Sequence, residues 1–529
     1  MNTSEFITIS NLIVPDRIAI IFEGQKTTYS KLFSRIIVLA KYLKDRGLKP
    51  GDRIATIQVN CPAHIELYFA AAFLDLVYVP LNFRSSQEEL GHMLKDSSPK
   101  IVFSGVRYVS MINSLKLEED FLEEFVSLDG DAEGWVEYET LMNELELSNR
   151  NPDSLISEIN PTFDGDDLTM LMFTSGTTGF PKGVMLTHES FSSYILSHVT
   201  PADMEIEERN ILTVPLYHIA GVQAFMAAIY GGRTLIIQKQ FQPDQWMELV
   251  EKEKANRAMM VPTMLKMIID HPEFYKYDLS SLEVITYGAA TMPLEVIKKA
   301  IGLFPNARFI NAFGQTETAA TITMLPPEDH VLKGTHAEID TKLKRLTSIG
   351  KPLLDVQVKI SDSNGIEVRT GEIGEIIAKS ERLMKGYWNQ EESTREVIKD
   401  GWLYTGDLGY IDEDGYIFLS GRSKDFIKRG GEMVSPEEIE RVLHSHYTID
   451  EAAVIGVPDV DWGERIRAII VLKPHQIFNE GSIIEFCKQK LASFKKPESI
   501  VVIDKLPRNS LGKPLKNILR DKYSYPIKN

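Results

Sequence analysis

The residues best suited to chemistry in this 529-residue chain lie between Leu171 and Gly183, where an apolar lead stops in a run of hydroxyl residues and glycines with one lysine near its end. Gly176, Gly179 and Gly183 free the backbone to turn N–H groups inward. Thr174, Ser175, Thr177 and Thr178 add hydroxyl donors, and Lys182 adds a point charge. These are the parts of a phosphate cradle. The spacing is not that of a Walker loop, which needs four residues between its first glycine and a Gly-Lys-Ser/Thr, so a nucleoside triphosphate is expected without a P-loop fold. A flexible surface turn uses the same residue types, and the reading needs support from the rest of the chain.

Two further stretches supply it. Ser281 to Thr291 reads as a buried strand ending in Gly288, Ala289 and Ala290, small residues that let a flat ring approach the backbone at the crevice of an open α/β sheet. Close packing of strand on helix explains Gly288 alone equally well. The next strand, Phe309 to Thr318, carries Asn311, Ala312, Phe313, Gly314, Thr316 and Glu317. Phe313 offers a face for adenine, Thr316 a hydroxyl for the α-phosphate, and Glu317 a hard oxygen for Mg²⁺.

With the loop at Thr174 to Lys182, the Phe313-Gly314-Gln315-Thr316-Glu317 strand end, Tyr404-Thr405-Gly406-Asp407, Gly421-Arg422-Ser423-Lys424-Asp425 and the terminal Pro507-Arg508-x-x-x-Gly512-Lys513 in this order, the chain resembles the adenylate-forming superfamily of acyl-CoA synthetases, adenylation domains and luciferases over essentially its whole length. The family usually has Tyr where Phe313 stands, which keeps stacking and loses a hydroxyl; Asp75-Leu76 stands where Ala-Gly is usual. The resemblance implies that Asp407 and Arg422 contact the ribose hydroxyls and that Lys513 is the catalytic lysine. It also implies an interdomain hinge at Lys424, and a passage for the pantetheine arm of coenzyme A beside Gly430 and Gly431. Tyr217, His218, Gly221 and Val222, with Gly288 and Gly314, border the acyl pocket in the same comparison. On composition alone His218 reads as a core histidine and Lys513 as a solvated charge.

These residues need a scaffold. The chain is longer than one core usually serves, and strand-helix alternation from Phe6 to Asp166 (Ile18 to Phe22, Tyr29 to Leu48, Arg53 to Val59, Ile65 to Leu76) predicts an α/β layered domain with a largely parallel sheet. Thr187 reads as the N-cap of a helix from about Glu189, Gly409 to Leu419 as a hairpin turning at Asp414-Gly415, and Ser435, Pro436 and Glu438 as a capping box. Residues 1–423 are expected to form the nucleotide- and acyl-binding domain and 424–529 a small mobile α/β lid.

Composition narrows the partners. A net charge of −17 argues against nucleic acid or an anionic membrane. The lid holds 18 basic and 15 acidic residues, so the excess of acid, about −20, lies before it. Cys61 and Cys487 are too few for a disulfide framework and read as buried small apolar residues, with partial exposure of Cys487 on its helix as the alternative. The N-terminus has no basic start or apolar signal core and no stretch is long enough to span a bilayer, so a cytoplasmic setting is the default, with a homodimer left open.

The expected reaction is ATP-dependent ligation of a carboxylic acid to coenzyme A through an acyl-adenylate, with Mg²⁺. Small residues at Gly221, Ala224, Ala319 and Ala320 beside apolar Val222, Phe225 and Ile322 suggest a roomy nonpolar pocket, favouring a medium- or long-chain fatty acid over an aryl or alicyclic one. An acyl-AMP ligase loading a carrier protein, a luciferase-like oxidase and a non-catalytic binding protein are the rival readings.

Overall fold

The computed structural model describes residues 1–115, 124–148, 155–156, 159, 164–174, 180–422, 425–429, 432–459, 462–492, 495–509 and 512–525. Short β-branched runs bury both faces and pair in parallel, as an α/β core requires. In an eight-stranded sheet Val77–Pro80, Arg53–Ile57 and Ile101–Ser104 are such strands. At one end of this sheet Leu168–Thr174 pairs in parallel with Val77–Pro80 and antiparallel with Lys182–Thr187, and Gly386–Tyr387 closes the edge. A nine-stranded sheet runs from Lys351–Pro352 through Ala320–Leu325, Arg308–Gln315, Val284–Gly288, Arg257–Met260, Arg209–Leu212 and Thr234–Ile237 to Ile18–Phe22 and Gln25–Thr28.

The sequence reading put Ile18–Phe22 in one alternation with Arg53–Ile57, but the two lie in different sheets. The cause is local. Glu23 and Gly24 both take positive φ, 49° and 83°, the two-residue turn that folds Ile18–Phe22 onto Gln25–Thr28. Between the sheets lies the largest apolar cluster. It is filled by helices Tyr29–Asp45, whose buried positions recur at helical spacing, Ala63–Ala72, buried along its whole length, and Ile219–Tyr230.

A third sheet pairs Gln357–Ser361, Gly374–Lys379 and Trp402–Ile411, with Ile417–Arg422 as the return strand of a hairpin around Asp414-Gly415. Pairing then changes sheet. From Ile427 onward the strands Ile427–Arg429, Ile449–Asp459, Gly463–Leu472 and Ser499–Val502 build a separate sheet with its own core, backed by helices Pro436–His444 and Glu480–Lys490. Cys487 is fully buried in that core, as expected of a small apolar residue, because Ile483 and Cys487 form the inward face of their helix, whereas Cys61 is only half-buried. Ser435 caps Pro436–His444 by accepting from the Glu438 N–H. The reciprocal half of the expected capping box is not made; the Glu438 carboxylate takes Lys495 instead, at 2.7 Å. Thr187 caps a helix that starts at His188, one residue before the expected Glu189, with Ser190 completing a reciprocal box.

The strand ends that carry the motif residues are set by backbone crowding. A Cβ at Gly314 would lie 1.5 Å from the Ala320 carbonyl oxygen across a bulge in the pairing of Arg308–Gln315 with Ala320–Leu325, and one at Gly288 would lie 2.1 Å from the Ala312 oxygen. By contrast a Cβ at Gly302, in helix Leu294–Leu303, meets nothing within 4 Å. Gly314→Ala should therefore destabilise the protein by about 2 kcal/mol or more through forced backbone displacement, whereas Gly302→Ala should stabilise it by about 0.5–1 kcal/mol through helix propensity; chemical denaturation of both variants reads the opposite signs.

Candidate functional site

The phosphate-loop hairpin ends in the register Thr174↔Lys182. Ser175, Gly176, Thr177, Thr178 and Gly179 lie outside the described residues. The loop thus joins two antiparallel strands, a geometry unlike the strand-to-helix Walker loop. On the far side the Lys182 ammonium donates to Ser393 Oγ at 2.9 Å and stands 5.2 Å from the centre of the Tyr387 ring. The Tyr387 hydroxyl in turn donates to Glu317 Oε1 at 3.0 Å. Tyr387 was not among the expected site residues, although its Gly386-Tyr387-Trp388 run is conspicuous; only the edge pairing of Gly386–Tyr387 with Val184 and Met185 brings it between Lys182 and Glu317.

Glu317 sits in a single 3₁₀ turn, Thr316–Thr318, at the end of Arg308–Gln315, closed by reciprocal bonds between Gln315 and Thr318. The chain reverses through Ala319 and Ala320 at φ 48° and 78°, and Ala289 takes 65°. Three alanines in the left-handed region around one strand end are stored strain of the kind found where ligands approach backbone. Among the described residues no group of three or more His, Cys, Asp or Glu is assembled for a metal. One carboxylate beside a phosphate loop suits an ion held mainly by nucleotide phosphates, as Mg²⁺ is. Glu317, with one oxygen taken by Tyr387, fits that role.

Gly288, Ala289, Ala290, Asn311, Ala312 and Phe313 line the adjoining strand ends, with Ala289 open to solvent and Asn311 donating to the Ser348 carbonyl at 3.2 Å. Phe313 is half-buried against Val358 and Ile322. The expected acyl-pocket residues divide. Tyr217 is buried with its ring edge-on to Phe83 at 5.2 Å and tilted against His218 at 4.3 Å. His218 starts helix Ile219–Tyr230; burial pushes its pKa down to about 3, with Arg84 adding repulsion, so it is neutral at working pH. Val222, Phe225 and Ile322, however, belong to the closed core, Phe225 packing on Tyr68 and Phe69. Gly221 is small because a Cβ would meet the Pro215 carbonyl oxygen at 2.4 Å. Its size reflects close packing of the helix.

The third side is electrostatic. Asp407 and Arg422 face each other in register and pair at 2.8 Å, and Gln315 Nε2 donates to the other Asp407 oxygen at 2.6 Å and to the Thr405 carbonyl. Gln315 also escaped the sequence reading, which stopped at its neighbours. Lys513 reaches the same place from the small domain. Its N–H donates to Asn509 Oδ1 at 2.9 Å and its carbonyl accepts from the Asn509 N–H, while Gly512, at φ 76°, lies so close to Thr263 of the large domain that a Cβ would sit 2.3 Å from its hydroxyl. The Lys513 side chain is exposed to solvent. Desolvation and the Arg422 guanidinium push its pKa below the ordinary lysine value, opposed by Asp407, Asp425 and Glu437. Lys424, Gly430 and Gly431 lie outside the described residues.

Lys182 and Glu317 thus flank Tyr387, and Lys513 of the small domain feels the charges of Asp407 and Arg422. Residues 13–388 match the family model for an AMP-binding enzyme, and residues 438–513 match that for the AMP-binding enzyme C-terminal domain. The chain belongs to the AMP-binding enzyme family. It is 32% identical over 510 residues to a feruloyl-CoA synthase of Amycolatopsis sp, covering 96% of each chain. It is also 32% identical over 502 residues to the long-chain-fatty-acid–CoA ligase FadD13 of Mycobacterium tuberculosis, covering 95% of this chain and 94% of the relative. The ATP-bound structure of MatB from Rhodopseudomonas palustris superposes with a TM-score of 0.83 at 28% identity over 99% of both chains.

The depressed Lys513 pKa has a direct consequence for this family member. A lysine that acts as its ammonium loses function as pH rises through its pKa, and here that pKa lies below the ordinary lysine value. Nucleotide-dependent activity should therefore show an alkaline limb below the usual lysine range. Lys513→Arg, whose guanidinium keeps its charge, should lose the limb in a pH-rate profile even if its rate is lower.

Proposed function

We propose that this AMP-binding enzyme is an ATP-dependent carboxylic acid–CoA ligase. The observation that carries the reading is the placement of Lys513, from the small domain, beside the Asp407–Arg422 pair of the large one. The same strand-end region bears Glu317 within reach of the Tyr387–Lys182 side of the phosphate loop.

In the first step a carboxylate oxygen attacks the α-phosphorus of ATP, the bond to pyrophosphate breaks, and an acyl-adenylate forms. Two anions must be brought together, so positioning and cations carry the catalysis. Lys513 neutralises the carboxylate and α-phosphate, Thr316 binds the α-phosphate, and Thr174 to Lys182 hold the β- and γ-phosphates. Glu317 would hold Mg²⁺, which would supply further neutralisation of the pyrophosphate charge. Asp407 accepts from the ribose hydroxyls, and Arg422 orients Asp407. In the second step the sulfur of coenzyme A attacks the acyl carbonyl, its proton passes to solvent, and AMP leaves.

Residues 1–423 form the catalytic body and 424–529 the lid, with Lys424 as hinge and Gly430 and Gly431 lining the thiol's approach. His218 and Tyr217 border the acyl group, and a neutral His218 adds no counter-charge for a second carboxylate. A medium- or long-chain fatty acid is the first choice of substrate. Aryl acids form the second reading, favoured by the burial of Val222 and Phe225 in the core, which narrows the space left for a long chain. Among the described residues no helix is long and apolar enough to cross a membrane, and we place the enzyme in the cytoplasm.

Pyrophosphate release and CoA-dependent thioester formation over linear, branched, aryl and dicarboxylic acids test the proposal. One acid class should yield thioester. Lys513→Ala should lower adenylation by about 100-fold or more, the scale of a lost preorganised charge, while converting supplied acyl-adenylate and coenzyme A at close to the parental rate. Adenylate that accumulates without CoA turnover would move the acceptor to a carrier protein.

A further inference from the structure

Between Lys182 and Glu317 stands the Tyr387 side chain, and the residues that hold it there are as specific as those it touches. The Tyr387 N–H donates to Thr394 Oγ1 at 2.8 Å, the Trp388 N–H to the Gly183 carbonyl at 2.7 Å, and the Met384 N–H to the Glu317 carbonyl at 3.0 Å. Residues 384–388 therefore stitch the strand leaving the phosphate loop to the turn that carries Glu317. Gly386 permits this course: it takes φ 145°, and a Cβ would lie 2.6 Å from the Thr394 side chain. The ring sits under the Lys182 ammonium, which Ser393 Oγ holds at 2.9 Å, and the phenol donates to Glu317. Burial and the neighbouring carboxylate raise the phenol's pKa, so it remains a donor at any working pH.

An ammonium and a carboxylate in one half-buried site attract each other strongly. Joined directly, they would remove a cation from the phosphates and an oxygen from the metal. Among the described residues Lys182 and Glu317 form no ion pair with each other; each is engaged by a different part of the same tyrosine. We propose that Tyr387 is a positioning residue that keeps Lys182 and Glu317 apart, its ring seating the lysine for phosphate and its hydroxyl orienting the carboxylate for a divalent cation. This rests on the reading that Lys182 serves ATP phosphates and Glu317 the metal.

The test compares binding of a non-hydrolysable ATP analogue by calorimetry with and without Mn²⁺, the ratio of the two affinities giving the metal's contribution free of each variant's own effect on phosphate binding. Glu317→Gln checks the underlying reading: if the ratio stays at the parental value, Glu317 is not a metal ligand and the proposal falls with that reading. If Glu317→Gln lowers it, the tyrosine variants decide. Tyr387→Phe, which keeps the spacer, should lower the ratio about threefold for one lost charge-assisted hydrogen bond. Tyr387→Ala, which lets the charges meet, should lower it about tenfold or more. Adding Lys182→Met to Tyr387→Ala should restore the ratio to within about threefold of the parent, a recovery that general loss of packing does not produce. A double variant no better than Tyr387→Ala, or a Phe variant as impaired as the Ala one with unchanged thermal unfolding, would overturn the spacer role.

Discussion

The Asp407 carboxylate is the constraint on which the rest of the site depends. It is only 7% exposed, and a carboxylate so placed is tolerable only if every partner is present. Its partners come from different parts of the chain. Arg422 is on the neighbouring strand at the boundary where pairing passes to the small-domain sheet, and Gln315 ends the strand that continues into Thr316 and Glu317. Satisfying one buried charge thus fixes strand Ile417–Arg422 relative to the end of strand Arg308–Gln315. Lys513 then enters a field that this pair has already set, repelled by Arg422 and drawn by Asp407.

Much of this was legible in the sequence because the chemistry is carried by contiguous runs. The hydroxyl- and glycine-rich loop, the Thr-Glu strand end and the terminal Gly-Lys each stand out as candidate site residues within a few positions, and the β-branched strands and amphipathic helices announce the α/β layers. What stayed hidden depends on pairing over long separations. That Ile18–Phe22 joins Thr234–Ile237, or that Tyr387 edges against Val184, follows from sheet topology, which no local spacing encodes. Gln315 was missed for a different reason: an amide between two motif residues carries no signal until a buried carboxylate is found beside it.

The small residues were read as room for a ligand, with close packing left open for Gly288, and the structure shows close packing at Gly288, Gly314 and Gly221. Gly288, Gly314 and Gly221 each face a backbone carbonyl of this chain, so their size is already used by the fold before any ligand arrives. Ala289, by contrast, has a left-handed backbone and is open to solvent. Phe225 and Ile322 were assigned to a pocket on apolar character, and Val222 on the resemblance as well, but an apolar residue serves a core as readily as a pocket. Residue type could not separate the two; packing does.

The lysine's electrostatics also bear on why a second domain carries it. Partial desolvation and Arg422 disfavour the Lys513 charge, while Asp407, Asp425 and Glu437 oppose that cost. A bound polyphosphate and carboxylate add the negative charge that makes the ammonium favourable there. Once pyrophosphate leaves, much of that compensation goes with it, and the same desolvation and repulsion act against closure. A lysine on a fixed strand would have to bear this cost in both steps. On the proposed ligase reading, a lysine carried by the small domain, which meets the large one at Gly512 and Thr263, is withdrawn with that domain before the thiol arrives.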